Sequence, residues 1–453
     1  MHPKVINKTA IILTAALWLI IWGLWCIFPG LTAPNCIALS TIAVGVVILS
    51  GNMPFPSRTS QIIFATIAAM LFTGVILNAW YFTTYLGGTP RDPVLINPDA
   101  SMWWKEALFR LNQFDGEPAH FSHGLYGCVL AAVLAIFGIT VGTALIWSAT
   151  LILAALFMTA ILTFKLSRNN ISTFVAVIAT ASVCYWLSMG SLILKDAFTI
   201  LAFLIAGYGF VCYKTKFLGL SALAAVMLFF SRPSYILMLV VGAFVVGFRR
   251  GNKLWALSSA AICLSVWILS LFLIVANFYQ VISTDPSTKV LFDAPNQMAF
   301  YNIVGDYSQL SFFRKILLLP FSAAVQFLIP FPWNFDRDIP FGLTQFWCHI
   351  AYPWYLFGFA AVGFLVSHWK DRFSLTYRLA FWALVCWLVP CFIFGGTISR
   401  YGLPFVALFA PAVASFLIKE HSSRIFRVCL VVYCLAMAVI LIIAHHIQIS
   451  ALP

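Results

Sequence analysis

Long apolar runs alternate with short polar turns along almost the whole chain. Most of these runs are long enough, or nearly so, for a helix that crosses a bilayer, which needs about 20 residues. The runs lie at 9–28, 36–50, 61–84, 122–139, 142–164, 171–189, 194–213, 217–231, 234–248, 254–279, 315–333, 344–368, 374–396, 401–419 and 424–445. Two longer polar segments, 85–121 and 280–314, interrupt the series. The pattern predicts an all-α, polytopic membrane protein.

The composition supports this class of protein. Of the 453 residues, 62% are hydrophobic and 9% are charged, whereas a soluble domain is about half apolar and about a quarter charged. An ordinary soluble enzyme and a disordered chain are therefore excluded. The 11 cysteines form no CxxC pair and no Cys/His cluster, so we interpret them as small core residues and not as a disulfide or metal framework.

Basic residues predict how the chain crosses the membrane, because cytoplasmic loops carry an excess of Lys and Arg. The net charge of +13 therefore indicates a membrane protein and not a nucleic-acid partner. Lys4 and Lys8 precede the first run, which is too long for a cleaved signal, and we expect them to keep the N terminus in the cytoplasm. The other cytoplasmic markers are Lys165, Arg168, Lys214, Lys216, Arg249, Arg250, Lys253, Lys370, Arg372, Arg378, Lys419, Arg424 and Arg427.

The markers fall on one side only if two of the apolar runs do not cross. We expect 122–139 to lie along the outer surface or to enter and return, and we expect the same of 315–333. The second run contains Pro320, Pro330 and Pro332, which break a helix unless neighbours compensate. The result is about 13 spans, with the N terminus inside and the C terminus outside.

This topology divides the chain into four parts. Residues 1–60 form two accessory spans, and 61–279 form a core that includes the first outer loop and juxtamembrane helices at 85–141. Residues 280–343 form an outer loop with a re-entrant or interfacial segment, and 344–453 form the C-terminal spans. Every acidic residue except Asp371 and Glu420 falls on the outer side. Either polar chemistry takes place there, or the outer loops are simply better solvated.

The first outer segment predicts an amphipathic helix that begins at Asn97-Pro98. Its apolar stripe would lie at the membrane interface, with the tryptophans at headgroup depth and Lys105, Glu106 and Arg110 on other faces. The stripe consists of Trp103, Trp104, Ala107, Leu108 and Leu111. Asp99 falls in the first turn. It either complements the helix dipole or acts as a general base for an acceptor hydroxyl.

Scattered cations lie at the predicted outer ends of later spans. Lys195 and Asp196 stand at the start of one span, where they form an adjacent ion pair, a lysine that reaches to the interface, or a functional pair. Arg232, followed by Pro233, lies between two short spans and is a candidate ligand for a phosphate. Arg400 and Tyr401 stand at the mouth of a late span.

Metal and nucleotide motifs are weak or absent in the sequence. Glu117 and His120 are the weak candidates for ligands of a divalent metal, although their spacing is not diagnostic, and no other cofactor is indicated. The chain contains no Walker A motif, no GxGxxG after a strand and no GxSxG elbow. If the protein is a transferase, its donor is expected to be linked to a lipid.

In its order of features the chain resembles the GT-C-fold integral membrane glycosyltransferases. That group includes protein O-mannosyltransferases, lipid A aminoarabinose transferases and many surface-polysaccharide transferases. The likeness covers roughly 61–415 and depends on an outer-loop carboxylate, the Lys-Asp and Arg-Pro pairs, and the late RYxLP, which reads SRYGLP here. The resemblance implies juxtamembrane helices after the first core span, a polyprenyl-phosphate-linked sugar donor and an acidic base in the first outer loop.

Carried over by position, Asp99 corresponds to the base and Asp196 to a second outer carboxylate. Arg400 corresponds to the arginine near the carrier phosphate, with Lys195 and Arg232 as weaker matches. The chain departs from the pattern where Met102-Trp103-Trp104 follow Asp99 in place of an acidic pair or DxxxY, so Asp115 and Glu117 stay open as alternative bases. Two extra spans also precede the presumed first core span.

The sequence therefore predicts a glycosyltransferase of the inner or plasma membrane whose active site faces the periplasm or the cell exterior. Its partners would be the bilayer, a polyprenyl-phosphate-linked sugar donor and a surface glycan or lipid-linked acceptor, with no nucleic acid. Two alternatives stay open. One is a polymerase of lipid-linked repeat units, and the other is a flippase or other transporter of lipid-linked oligosaccharides, although transporters usually have paired halves.

Overall fold

The fold is helical throughout the part of the chain that a computed structural model describes. The described residues are 31–95, 98–113, 125–183, 193–212, 217–248, 253–282, 310–328, 352–394 and 402–420, with a few single positions elsewhere. Every regular element among them is a helix, which confirms the all-α class. The runs predicted at 9–28 and 424–445 lie outside these ranges.

The helices follow the apolar runs closely. In chain order they are α1 (Ala33–Asn52), α2 (Arg58–Trp80), α3 (Pro98–Arg110), α4 (Tyr126–Phe137), α5 (Val141–Ser167), α6 (Asn170–Ala181), α7 (Asp196–Cys212), α8 (Leu218–Ser231), α9 (Ile236–Gly242), α10 (Lys253–Ile282), α11 (Phe312–Leu328), α12 (Tyr352–Ser367), α13 (Leu375–Phe394) and α14 (Leu403–Glu420). A π-helical turn, Tyr81–Tyr85, extends α2. Another, Ala243–Gly247, extends α9, which follows the 3-10 turn Pro233–Tyr235.

Some of these helices have the length and composition of membrane spans. Four are long and apolar enough to cross a bilayer, and they cover Arg58–Tyr85, Val141–Ser167, Lys253–Phe272 and Leu375–Phe392. The remaining apolar helices of the described residues are shorter. The fold is thus consistent with a membrane protein, and the count of about 13 spans stays a prediction.

Helix α4 corresponds to the run that was expected not to cross. It has 12 residues, or about 18 Å at 1.5 Å per residue, against about 30 Å for the hydrocarbon core. It ends at Gly138, whose φ of 104° is a conformation that glycine adopts readily. Thr140 then caps α5, because its side chain accepts a hydrogen bond from the Thr143 N–H. Helix α6 also has 12 residues and lies in a run that is expected to cross, so a non-crossing α4 stays a prediction from loop charge.

Helix α11 corresponds to the second run that was expected not to cross, 315–333, and it differs from the expectation at Pro320. Pro320 was expected to break a helix, yet α11 continues through it from Phe312 to Leu328. An interior proline removes one backbone hydrogen bond and bends the helix, and it need not end the helix when both flanks keep helical geometry. Pro330 and Pro332 lie outside the described residues.

Helix α7 lies at the centre of the packing, against α5, α8 and α14. The ring of Phe203 on α7 meets Phe405 of α14 at a centroid distance of 4.7 Å and Trp382 of α13 at 6.0 Å. Trp382 donates its indole N–H to the Met238 carbonyl at 2.8 Å. These contacts fix the helix whose first residue is Asp196.

Candidate functional site

The Lys195-Asp196 pair begins α7 and is buried at that position. Lys195 is 7% exposed and Asp196 1%. A carboxylate in the first turn interacts favourably with the helix dipole, which accounts for an acidic residue at the start of an apolar helix. The Thr199 hydroxyl lies 3.0 Å from the Ser231 hydroxyl, so this end of α7 is attached to the last residue of α8.

Asp196 forms an ion pair with Arg232. The structure thus brings Arg232 to the same place as Lys195 and Asp196, which were also predicted as site residues. The arginine Nη2 lies 2.6 Å from Asp196 Oδ1, and both side chains are largely buried. Arg232 follows α8 with φ −146° and ψ 80°, outside the helical region that is disfavoured for a residue before proline. Its guanidinium also lies 5.4 Å from the ring centroid of Tyr235. One sequence interpretation was an ion pair between the neighbours Lys195 and Asp196. The ion pair that the structure shows joins Asp196 to Arg232.

Lys195 faces the helix of the first outer segment. Its ammonium group lies 4.8 Å from the ring centroid of Trp103 on α3. Asp99, Trp103 and Glu106 are spaced four and three residues apart, so they share one face of α3. Asp99 is half-buried and lies about 6 Å along the helix axis from Trp103. The candidate base is thus on the side of α3 that meets Lys195.

The environment of α3 corrects one part of the sequence interpretation. Trp103 and Trp104 were expected at the headgroup level of a lipid interface, but both are buried inside the protein, where α3 packs on α4. The spacing of the apolar stripe was right, and its partner is protein. The hydropathy of a stripe predicts that it is covered, without specifying what covers it.

Glu106 is a residue that the sequence interpretation missed, because it was assigned to a polar face. Its side chain is buried and accepts two hydrogen bonds from Arg110, at 2.8 and 3.1 Å. Burial raises the pKa of the Glu106 carboxyl, while the nearby Arg110 and Lys195 lower it. Gly127 of α4 makes room for this carboxylate, because a Cβ there would collide with the Glu106 side chain.

Tyr126 of α4 completes the same region. Its ring meets Trp103 edge-on at 5.7 Å, and burial raises the pKa of its hydroxyl. Ser148 and Trp147 of α5 lie close to the hydroxyl without reaching hydrogen-bond geometry. Among the described residues, four buried groups at this place have no hydrogen-bond partner. They are the hydroxyls of Tyr126 and Ser148 and the indole N–H groups of Trp103 and Trp147. Such groups are unusual in proteins and are available to a polar ligand.

We refer to these side chains together as the polar cluster. Its members come from four separate segments of the chain and are Trp103, Glu106, Tyr126, Lys195, Asp196 and Arg232. Two of the members are cations and two are carboxylates, and Asp99 lies one helical turn from Trp103. The arrangement offers positive charge for an anionic group close to a half-buried carboxylate.

The other predicted site residues lie outside the described part of the chain. These are Arg400 and Tyr401 of the late span and Asp115, Glu117 and His120 of the first outer segment. Within the described ranges, no three His, Cys, Asp or Glu side chains group together as metal ligands would. The cysteines that the structure describes are free thiols, most of them buried, as core residues are.

Comparison with known proteins does not assign the chain to a family. No family model matches the chain, and no curated protein shows significant similarity to it. The function is therefore inferred from the polar cluster and its position at the helix ends.

Proposed function

We propose that the protein is a membrane glycosyltransferase that moves a sugar from a polyprenyl-phosphate carrier to a surface glycan or a lipid-linked acceptor. The reaction takes place on the outer face of the inner or plasma membrane, with the N terminus in the cytoplasm. The observation that carries the proposal is the convergence of α3, α4, the start of α7 and Arg232 on the polar cluster. Cations and carboxylates from distant parts of an apolar chain are costly to bury together, and such groups are usually functional.

The cations suit the leaving group of this reaction. When the bond between the anomeric carbon and the phosphate oxygen breaks, negative charge develops on the carrier phosphate. Arginine and lysine stabilise such charge most effectively where water is excluded. Arg232 and Lys195 are both largely buried, and Asp196 orients the Arg232 guanidinium through their 2.6 Å contact. In this proposal Arg400 adds a further positive charge.

Asp99 suits the acceptor side of the reaction. In an inverting displacement, the acceptor hydroxyl attacks the anomeric carbon, the new C–O bond forms as the carrier phosphate leaves, and the hydroxyl proton passes to the base. Asp99 is half-buried on the face of α3 that meets Lys195, where it can accept this proton. The unpartnered polar atoms of Trp103, Tyr126 and Ser148 are suited to hydrogen bonds with sugar hydroxyls.

A transfer assay with defined donors tests this proposal. Purified full-length protein in detergent is given polyprenyl-phosphate sugars together with candidate acceptor glycans, and the released polyprenyl phosphate is measured. We expect release that depends on both the protein and the acceptor. A repeat-unit polymerase would act on pyrophosphate-linked oligosaccharides and would lengthen them. A flippase would move the intact lipid between the leaflets of a vesicle without releasing the carrier. Either of these results without acceptor-dependent release would overturn the proposal.

A further inference from the structure

A second group of charged and aromatic side chains lies at the opposite end of α9 from Arg232. Arg232 immediately precedes the helical stretch 233–247, and Phe248 immediately follows it. That stretch of 15 residues is about 22 Å long. The chemistry near Phe248 is therefore remote from the polar cluster.

Cations and aromatic rings alternate in this second group. Arg378 donates a hydrogen bond to the Phe248 carbonyl at 2.9 Å, and its guanidinium lies 5.8 Å from the ring centroid of Phe373. Arg372 lies over the rings of Phe373 and Trp369, at 5.2 and 5.6 Å. Lys253 approaches the ring of Phe248 at 5.8 Å. We call this group the basic aromatic patch, and it consists of Phe248, Lys253, Trp369, Arg372, Phe373 and Arg378.

The patch is open to its surroundings. Trp369 and Phe373 are 58% and 68% exposed, and the side chains of Lys253, Lys370 and Arg372 are also exposed. Adjacent exposed rings with polar side chains around them are typical of a protein or membrane interaction site. With Lys370 and Asp371 in the same turn, four basic side chains stand against one acidic side chain, so the surface favours an anion.

The position of the patch identifies the kind of anion. Two of the four helices that are long and apolar enough to cross a membrane, Lys253–Phe272 and Leu375–Phe392, begin at this patch. The start of such a helix lies at the level of the lipid headgroups, where Trp and basic residues are enriched. Lys253, Arg372 and Arg378 are among the basic residues that the loop-charge rule assigns to the cytoplasmic side, whose leaflet carries anionic lipids.

We infer that the basic aromatic patch binds the phosphate headgroup of an anionic phospholipid in the cytoplasmic leaflet. Arg372 and Lys253 contact the phosphate from the two ends of the patch. Trp369 and Phe373 enter the interface between the headgroups and the acyl chains. Arg378 is a positioning residue, because its hydrogen bond to the Phe248 carbonyl ties the first turn of α13 to the residue that follows the helical stretch 233–247. The inference does not depend on the proposed transferase activity.

Lipid titration of the detergent-solubilised full-length protein tests this inference, with the thermal unfolding midpoint as the readout. We expect phosphatidylglycerol to raise the midpoint saturably at low ionic strength and phosphatidylcholine to leave it unchanged. The Lys253→Gln/Arg372→Gln variant should weaken the apparent affinity for phosphatidylglycerol about 25-fold, since each basic residue near an anionic surface contributes about fivefold. The matched control is Arg91→Gln/Lys105→Gln, which also removes two exposed positive charges, but from the predicted outer segment, and should change the affinity by less than about threefold.

Three results would overturn the inference. The first is an unchanged affinity in Lys253→Gln/Arg372→Gln, and the second is an equal loss in the control. The third is an equal shift of the midpoint by inorganic phosphate, which would indicate a site for the free anion. If the double variant does not fold, Lys370→Gln, with its exposed side chain, should still weaken the affinity about fivefold. No change in that variant would likewise contradict the inference.

Discussion

The ammonium group of Lys195 lies 4.8 Å from the ring centroid of Trp103. This contact joins the first outer segment of the chain to the start of α7, and both residues are buried. A cation over an indole ring is worth about 2 kcal/mol when water is excluded from it. Because α3 also carries Asp99, the contact fixes the candidate base relative to the cations of the polar cluster.

Replacement of Trp103 tests this contact. Trp103→Phe keeps an aromatic face toward Lys195, and Trp103→Leu does not. We expect the leucine variant to have a free energy of unfolding about 1–2 kcal/mol below that of the phenylalanine variant, measured by denaturant unfolding in detergent. Equal values for the two variants would show that only the volume of the side chain matters at this position.

The ion pair of Asp196 and Arg232 predicts strong non-additivity. Asp196→Asn or Arg232→Gln alone leaves the other charge buried without this partner, which costs about 3–5 kcal/mol. The double variant removes both charges, so its cost should be at least about 1 kcal/mol below the sum of the single costs. A double-mutant cycle of unfolding free energies measures the difference. A cycle that closes additively would contradict the 2.6 Å contact.

Glu106 predicts a pH dependence of stability. Burial raises the pKa of its carboxyl above the ordinary value of 4.5, so the folded protein binds this proton more tightly than the unfolded chain. The contribution of Glu106 is therefore greatest below pH 4.5 and is lost as the pH rises through the folded-state pKa. We expect Glu106→Gln to flatten the decline in unfolding free energy above pH 4.5. Asp92→Asn, at an exposed position, is the control and should keep the decline.

Loop charge predicts on which side of the membrane the end of α4 lies. Ile136 is exposed near the end of α4, and Arg91 is exposed in the loop before α3. If α4 does not cross, cysteines at these two positions react with an impermeant thiol reagent from the same side, in a background without native cysteines. A cysteine at Ser167, at the far end of α5, should react from the other side. Labelling of Arg91→Cys and Ile136→Cys from opposite sides would mean that α4 crosses.

Hydropathy predicts the helices of this chain well, and loop charge predicts which of them cross the membrane. An apolar run marks a helix because burial or lipid must cover it, and α1 differs from the run at 36–50 only by extending to Ala33–Asn52. Loop charge predicts that α4 does not cross, and this stays a prediction. Both signals act locally along the chain, which is why they can be read from the sequence.

The partners within the polar cluster depend on tertiary packing and could not be predicted. Asp196 was considered beside its neighbour Lys195, yet the fold pairs it with Arg232 from the next helical hairpin. Glu106 gave only one signal, its spacing of four residues from Arg110, which is common on solvent-exposed helices. Its burial follows from the absence of a side chain at Gly127, and the sequence does not indicate that these two positions meet.

The rate of acceptor-dependent sugar transfer in Asp99→Asn tests the central proposal most directly. Asp92→Asn is the matched control, because it removes an exposed carboxylate from the same outer segment. A positioned general base contributes about 10²–10⁴-fold to a rate, so Asp99→Asn should lose at least about 100-fold while Asp92→Asn stays near wild type. Wild-type rates in Asp99→Asn would contradict the proposal that the carboxylate on this face of α3 accepts the proton.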